Sequence, residues 1–100
     1  MQDLRIPDSV RSIGEEAFKS CMKLKRVHLG HGLRTLKKRT FANCPALRAV
    51  TVCRETERLF WSAFPTGEDS PTLVYDGSPA EWERVERLGE DACRIEFLKD

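Results

Sequence analysis

No stretch of this 100-residue chain approaches the run of about 20 apolar residues that crosses a bilayer, so no membrane span is expected. Its opening, MQDLRIPDSV, also lacks the apolar segment of a signal peptide. The chain is therefore expected either to stay in the cytoplasm or to be a piece or mature form of something longer. Catalytic signatures are missing too: there is no G-x-S-x-G elbow, no H-E-x-x-H and no glycine-rich phosphate loop. The 4 cysteines include no C-x-x-C pair, and His28 and His31 are the 2 histidines. Neither a zinc site nor any other cofactor is expected from that set. With 40% hydrophobic residues, 6 Gly and 5 Pro, the composition is ordinary for a folded chain. One domain of this length buries about 60% of its unfolded surface at most, so its core must be a narrow column.

What the chain does have is an internal repeat with a period of 23. Leu4, Val27, Val50 and Leu73 fall in register, and so do Ile6, Leu29, Val52 and Tyr75 two positions on. Val10 matches Leu33, Ile13 matches Leu36 and Leu59, and Phe18 matches Phe41 and Phe64. Cys21 matches Cys44, and Leu24 matches Leu47. Apolar positions recurring at one spacing, with polar residues varying between them, make each unit one coil of a solenoid. A single coil cannot bury its apolar face, but stacked coils can, and the stack offers an extended binding surface.

Within a coil, the alternation ending at Leu29 predicts a short strand with Val27 and Leu29 inward, pairing in parallel with its equivalents about 4.8 Å away. Gly30 and Gly32, like Pro7 and Asp8 one unit earlier, mark a turn. Leu33 and Leu36 then face inward, and the stretch from Lys37 to Cys44 suits a single helical turn that plugs Phe41 into the core. Phe18, Phe41 and Phe64 are expected to stack as a buried column. After Tyr75 the pattern changes. The segment from Asp76 to Leu88 reads as a helix with Ser78 as N-cap, Pro79 at its first position and Glu81 closing a capping box. Trp82, Val85 and Leu88 would share one face. That helix and a short strand around Ile95 and Phe97 form a C-terminal cap over residues 76–100, closing the coils of residues 1–75.

The run from Ile6 to Cys21, IPDSVRSIGEEAFKSC, closely resembles the repeat of BspA-like bacterial leucine-rich repeat proteins, roughly I-P-x-S-V-x-x-I-G-x-x-A-F-x-x-C-x-x-L. The stretch from Val74 to Trp82, VYDGSPAEW, is similar to the tail that closes such arrays. In the third unit Gly67 replaces the cysteine. The resemblance implies an α/β fold, a right-handed β-α leucine-rich repeat solenoid with a short parallel sheet, about three coils plus the helix and strand cap. It further implies a secreted or cell-surface protein that binds other proteins, with no catalysis and no cofactor.

Four cysteines allow two disulfides, but Cys21 and Cys44 share the repeat position where a buried thiol packs as a small hydrophobe. A reduced, stacked pair is the favoured reading, although neighbouring coils can bring Cα atoms within the roughly 4.4–6.8 Å of a disulfide. Cys53 sits just past a strand, where exposure is expected, and Cys93 lies in the cap. The nearest approach to a nucleophile pair, Cys53 with His28, is diagonal across adjacent coils, with roots roughly 7–8 Å apart. No enzyme is expected.

Charge is divided unevenly. Residues 1–52 carry 11 Lys and Arg against 4 Asp and Glu, or +7; residues 53–100 carry 6 against 12, or −6, which together give the net +1. The run Lys37-Lys38-Arg39 hints at nucleic acid, but the repeat sets Glu15 beside Lys38, Glu16 beside Arg39 and Trp61 against Lys38 as a cation–π partner. The same arithmetic pairs Asp3 with Arg26 and Arg34 with Glu57. Nucleic acid is thus the less favoured partner and protein the more favoured one. The candidate binding face is the outer side of the strands: Asp3, Arg5, Arg26, His28, Thr51, Thr72 and Val74. The alternative is a structural spacer within a longer protein. Nothing before Leu4 is long enough to cover the first coil, so weak head-to-tail self-association of the +7 half with the −6 half is also expected.

Overall fold

The repeat spacing becomes a hydrogen-bonded register. The computed structural model describes residues 3–65, 70–89 and 93–98. Its elements in chain order are β1 (Asp3–Arg5), β2 (Arg26–His28), β3 (Thr35–Leu36), β4 (Ala49–Cys53), β5 (Arg58–Phe60), a 3-10 turn (Trp61–Ala63), β6 (Thr72–Asp76), α1 (Pro79–Trp82), β7 (Glu86–Leu88) and β8 (Arg94–Phe97). Strands β1, β2, β4, β6 and β8 form one parallel sheet in that order. Leu4 pairs with Val27, Val27 with Val50 and Val50 with Leu73, as the repeat requires. The molecule is a β-solenoid of about four turns with parallel sheets. The strand expected around Ile95 and Phe97 is this sheet's fifth, with Ile95 beside Leu73 and Phe97 beside Tyr75, one position short of the repeat spacing.

A second parallel sheet, β3-β5-β7, lies where only inward-facing Leu36 and Leu59 were expected. It shortens the helix that sequence placed between Asp76 and Leu88. Ser78 does accept the Glu81 amide while Glu81 caps back to the Ser78 amide, with Pro79 at the start, but α1 ends at Trp82. Beyond it the Glu86 amide donates to Glu57 O at 2.9 Å, so β7 extends the second sheet and Leu88 pairs with Phe60 instead of sharing a helix face.

The helical turn expected from Lys37 to Cys44 is absent, and the reason recurs from one coil to the next. Glu16 and Arg39 have φ of 62° and 60°, and Ser20 and Asn43 have 63° and 56°. Two left-handed residues in each of the first two units break a right-handed helix there. Amides that a helix would use internally cross to the next coil instead: Phe18 N to Thr40 O at 2.9 Å, Ser20 N to Ala42 O at 2.8 Å and Phe41 N to Ala63 O at 2.8 Å. Backbone bonds therefore tie the coils together on the turn side as well as in the sheets.

Between these walls lies a column of apolar side chains. Phe18 stacks on Phe41 with ring centroids 5.6 Å apart, and Phe41 on Phe64 at 6.3 Å. Phe41 and Phe64 are buried, whereas Phe18, expected to be buried with them, is half-exposed. Further along, Trp82 of α1 meets Tyr75 at 5.0 Å and Trp61 at 6.2 Å, edge to face. Buried polar side chains donate to the preceding coil: Cys44 Sγ to Phe18 O, Cys53 Sγ to Gly30 O and Thr56 Oγ1 to Leu33 O, all at 3.1–3.2 Å. All four cysteines are free thiols; Cys21 is half-buried. The expected exposure of Cys53 is corrected: β4 runs on to include it, paired with Asp76, and only 2% of its surface is accessible. Gly67 lies outside the described residues.

Candidate functional site

The outward residues of the main sheet form two columns. Asp3, Arg26, Ala49, Thr72 and Arg94 make one; Arg5, His28, Thr51, Val74 and Glu96 make the other. Because successive side chains alternate in direction, Leu4, Val27, Val50 and Leu73 between them point to the core. All seven residues of the face expected from sequence are therefore on one surface. Asp3, Arg5 and Arg26 are exposed, and His28, Thr51, Thr72 and Val74 half-buried. A shallow trough of about 370 Å³ runs between Asp3, Arg5, Arg26, His28 and Thr51. Thr72 and Val74 continue the columns beyond it. Arg94 and Glu96 belong to the same face and were missed, although the alternation of Ile95 and Phe97, one coil on from Leu73 and Tyr75, signals them.

Charge on this face is mostly unpaired among the described residues. Asp3 and Arg26 are register partners yet form no ion pair among the described residues, and Arg5 has none either. Ion pairs form elsewhere, among them Arg34 with Glu57 at 3.3 Å, as the repeat arithmetic predicts, and Arg39 with Glu16 at 4.0 Å. Glu15 and Lys38 form no ion pair among the described residues. The expected Lys38–Trp61 contact is replaced, because Trp61 turns into the core within its 3-10 turn, and Lys38 Nζ lies 5.4 Å from the ring centre of Phe60 instead.

At the end of the sheet, the turn after β2 meets the turn after β4. His31 Nδ1 and Glu55 Oε1 are 2.5 Å apart. The Glu55 hydrogen bond and charge raise the His31 pKa above its ordinary 6.5, and the same bond holds the Glu55 carboxyl below its ordinary 4.5. Beneath them lies the Cys53 thiol, and the donor atoms of His31, Cys53 and Glu55 all fall within 4.8 Å of one another. The Asp8 carboxylate accepts the His31 backbone amide at 3.0 Å and so anchors this turn to the coil before. The repeat register, which sets Gly30 beside Cys53, is what brings the thiol to this turn. Nothing pairs His28 with Cys53: the thiol bonds Gly30 O at the turn and the imidazole faces outward. A larger hollow of about 510 Å³ on the turn side lies against Met22, Asn43, Pro45 and Phe64; among the described residues Cys44 is its one thiol and no charged side chain lines it.

Comparison with known proteins agrees with this geometry. The family model described as the BspA type leucine-rich repeat region matches residues 1–71, with six copies. No curated protein matches the chain. Among solved structures, a leucine rich cell surface protein from Faecalibacterium prausnitzii A2-165 is similar in fold, with a TM-score of 0.66 at 22% sequence identity. The match covers 86% of this chain and 29% of that one. The repeat that carries the register is thus the repeat of a known family over most of its length, and the chain belongs to the BspA type leucine-rich repeat family.

Proposed function

We propose that the chain is a non-catalytic protein-interaction module, of a secreted or cell-surface protein, that takes an acidic segment of a protein partner on the outer face of its main sheet. The observation carrying this reading is the placement of Arg5 and Arg26 on adjacent strands, both exposed and without an ion pair among the described residues, beside His28 and Thr51 in one trough. Unpaired cations on a rigid surface attract acidic partners and set the rate at which they arrive. The family and the cell-surface neighbour support the localisation.

The test is site-specific photo-crosslinking, with the cross-linker at position 28 on the face or at position 43 on the turn side. Position 28 should capture a partner that position 43 does not, and Arg5→Glu with Arg26→Glu should abolish capture while leaving the melting temperature within a few degrees. Capture equally from both positions, or capture indifferent to charge reversal, would refute the face. The spacer reading is favoured by the 29% coverage of the longer neighbour, and it predicts no specific cross-link at either position. A labelled oligonucleotide is expected not to bind at the Lys37-Lys38-Arg39 run, because Arg39 has Glu16 beside it and Lys38 lies against Phe60.

Self-association has a concrete form as well. Stacking β1 of one copy on β8 of another in the same register would set Asp3 against Arg94, Arg5 against Glu96 and Leu4 against Ile95. Sedimentation velocity at low salt should show concentration-dependent growth that disappears at high salt. Salt-insensitive behaviour would exclude this pairing.

A further inference from the structure

We propose that His31, Cys53 and Glu55 form a binding site for one zinc-like divalent metal ion, which would staple the second coil to the third. This goes beyond the interaction face and does not depend on it. The three donors are an imidazole nitrogen, a thiol sulfur and a carboxylate oxygen, mutually within 4.8 Å. Tetrahedral coordination with bonds of about 2.0–2.3 Å requires ligand atoms about 3.3–3.6 Å apart. His31 and Glu55 must therefore open from 2.5 Å by a small side-chain rotation, while the thiol already lies within 4.8 Å of both. Both residues can move, since their side chains are 45% and 36% exposed.

The backbone beneath them cannot. A Cβ on Gly30 would lie 2.5 Å from Ile6 O, and one on Gly32 2.3 Å from Asp8 O, so the turn bearing His31 is seated directly on the coil before. Cys53 is held within β4 with its thiol on Gly30 O at 3.2 Å. Ligands from two coils are thus presented by fixed supports, the condition under which a metal site loses least on binding.

The donor set selects the metal. Thiolate and imidazole favour zinc and its borderline relatives, whereas magnesium and calcium demand oxygen ligands throughout. Coordination displaces the Cys53 thiol proton to solvent; the His31 Nδ1 proton leaves with it when the imidazole starts as the cation and moves to Nε2 when it starts neutral. Asp8 on the preceding turn and Asp76 beside Cys53 add negative charge nearby, and Arg54, 4.0 Å from Glu55, opposes it. Water completes the fourth position.

The experiment uses the whole chain, free of affinity tag, reduced and stripped of metal. Titration with Co(II) should give a thiolate-to-cobalt charge-transfer band saturating at one equivalent, and Zn(II) should displace it. Zn(II) should also raise the melting temperature by the linkage expected of a ligand that binds only the folded state. Cys53→Ser, which keeps a hydroxyl for Gly30 O, should abolish the band. His31→Ala and Glu55→Gln, both at accessible side chains, should each weaken affinity by more than the about 10–100-fold that loss of a supporting partner causes elsewhere. If Cys53→Ser does not fold, the two surface variants decide. No band in the wild type, a band that survives Cys53→Ser, or affinity unchanged in His31→Ala would each overturn the site.

Discussion

The first and second coils carry equivalent side chains at equivalent positions and bury them to different degrees. Leu4, Val10, Phe18 and Cys21 are half-buried, whereas Val27, Leu33, Phe41 and Cys44 are 0–2% accessible. The chemistry at each position is nearly constant, so the difference lies in neighbours. Phe41 has a ring stacked on each side and Phe18 on one. Burial in this molecule is therefore a property of the stack and not of the repeat, as expected when each unit touches only the units beside it.

The largest expected effect follows at the centre of the stack. Phe41→Ala should lose about 3–5 kcal/mol in chemical denaturation, enough to unfold a domain of this size. Phe18→Ala, the same deletion one coil earlier, should lose about 1–2 kcal/mol, in proportion to its smaller buried area. Equal losses at the two sites would break the comparison. Between them stands Gly30→Ala, which leaves the rings alone and forces the second coil off Ile6 O and Pro7 O. Overpacking against backbone should cost about 1–3 kcal/mol, read by the same denaturation curve.

Much of this comparison was legible in the register, because apolar positions recurring at one fixed interval have one explanation. Val27 and Leu29 inward and the phenylalanine column were visible for that reason, and the Ser78–Glu81 capping box from its own local spacing. The turns were not. Glu16, Arg39 and Ser20 have no marked preference for φ above zero, and among the four described non-glycine residues with positive φ Asn43 alone carries a hint. The second sheet escaped because Thr35–Leu36 is too short to show alternation, and β7 because Val85 and Leu88 also fit a helical spacing. Cys53 was misplaced by analogy with Pro7 and Gly30, which lie in turns; its own strand extends further because Asp76 pairs with it. The columns of the candidate face were legible as far as β6; Arg94 and Glu96 lie one position off the repeat spacing, so only the alternation of Ile95 and Phe97 marks them.

Thiol reactivity sharpens the contrast between coils without altering a residue. Cys44 is buried, and burial raises its pKa, so it should react with a thiol dye only on unfolding, while half-buried Cys21 reacts in the folded state. Cys93, pushed up to about 11 by burial, should also be slow. Simultaneous labelling of Cys21 and Cys44, followed by mass spectrometry, would contradict the difference in burial. The smallest effect concerns the turns. Ser20→Gly relieves a left-handed serine and should gain up to about 1 kcal/mol, whereas Asn43→Gly should change stability little, since asparagine tolerates that conformation. A loss at position 20 would mean that its φ is not positive.

Amide hydrogen exchange followed residue by residue by NMR tests the stacked-coil account most directly. The Leu29 and Phe41 amides, bonded to Thr51 O and Ala63 O in the next coil, should exchange only through global unfolding. Those of Ile6 and Phe18, bonded onward to His28 O and Thr40 O from a half-buried coil, should exchange faster through local opening. Uniform protection from Ile6 to Phe41, or a Phe41 amide that exchanges as fast as that of Phe18, would contradict the claim that neighbours rather than residues set the stability of each coil.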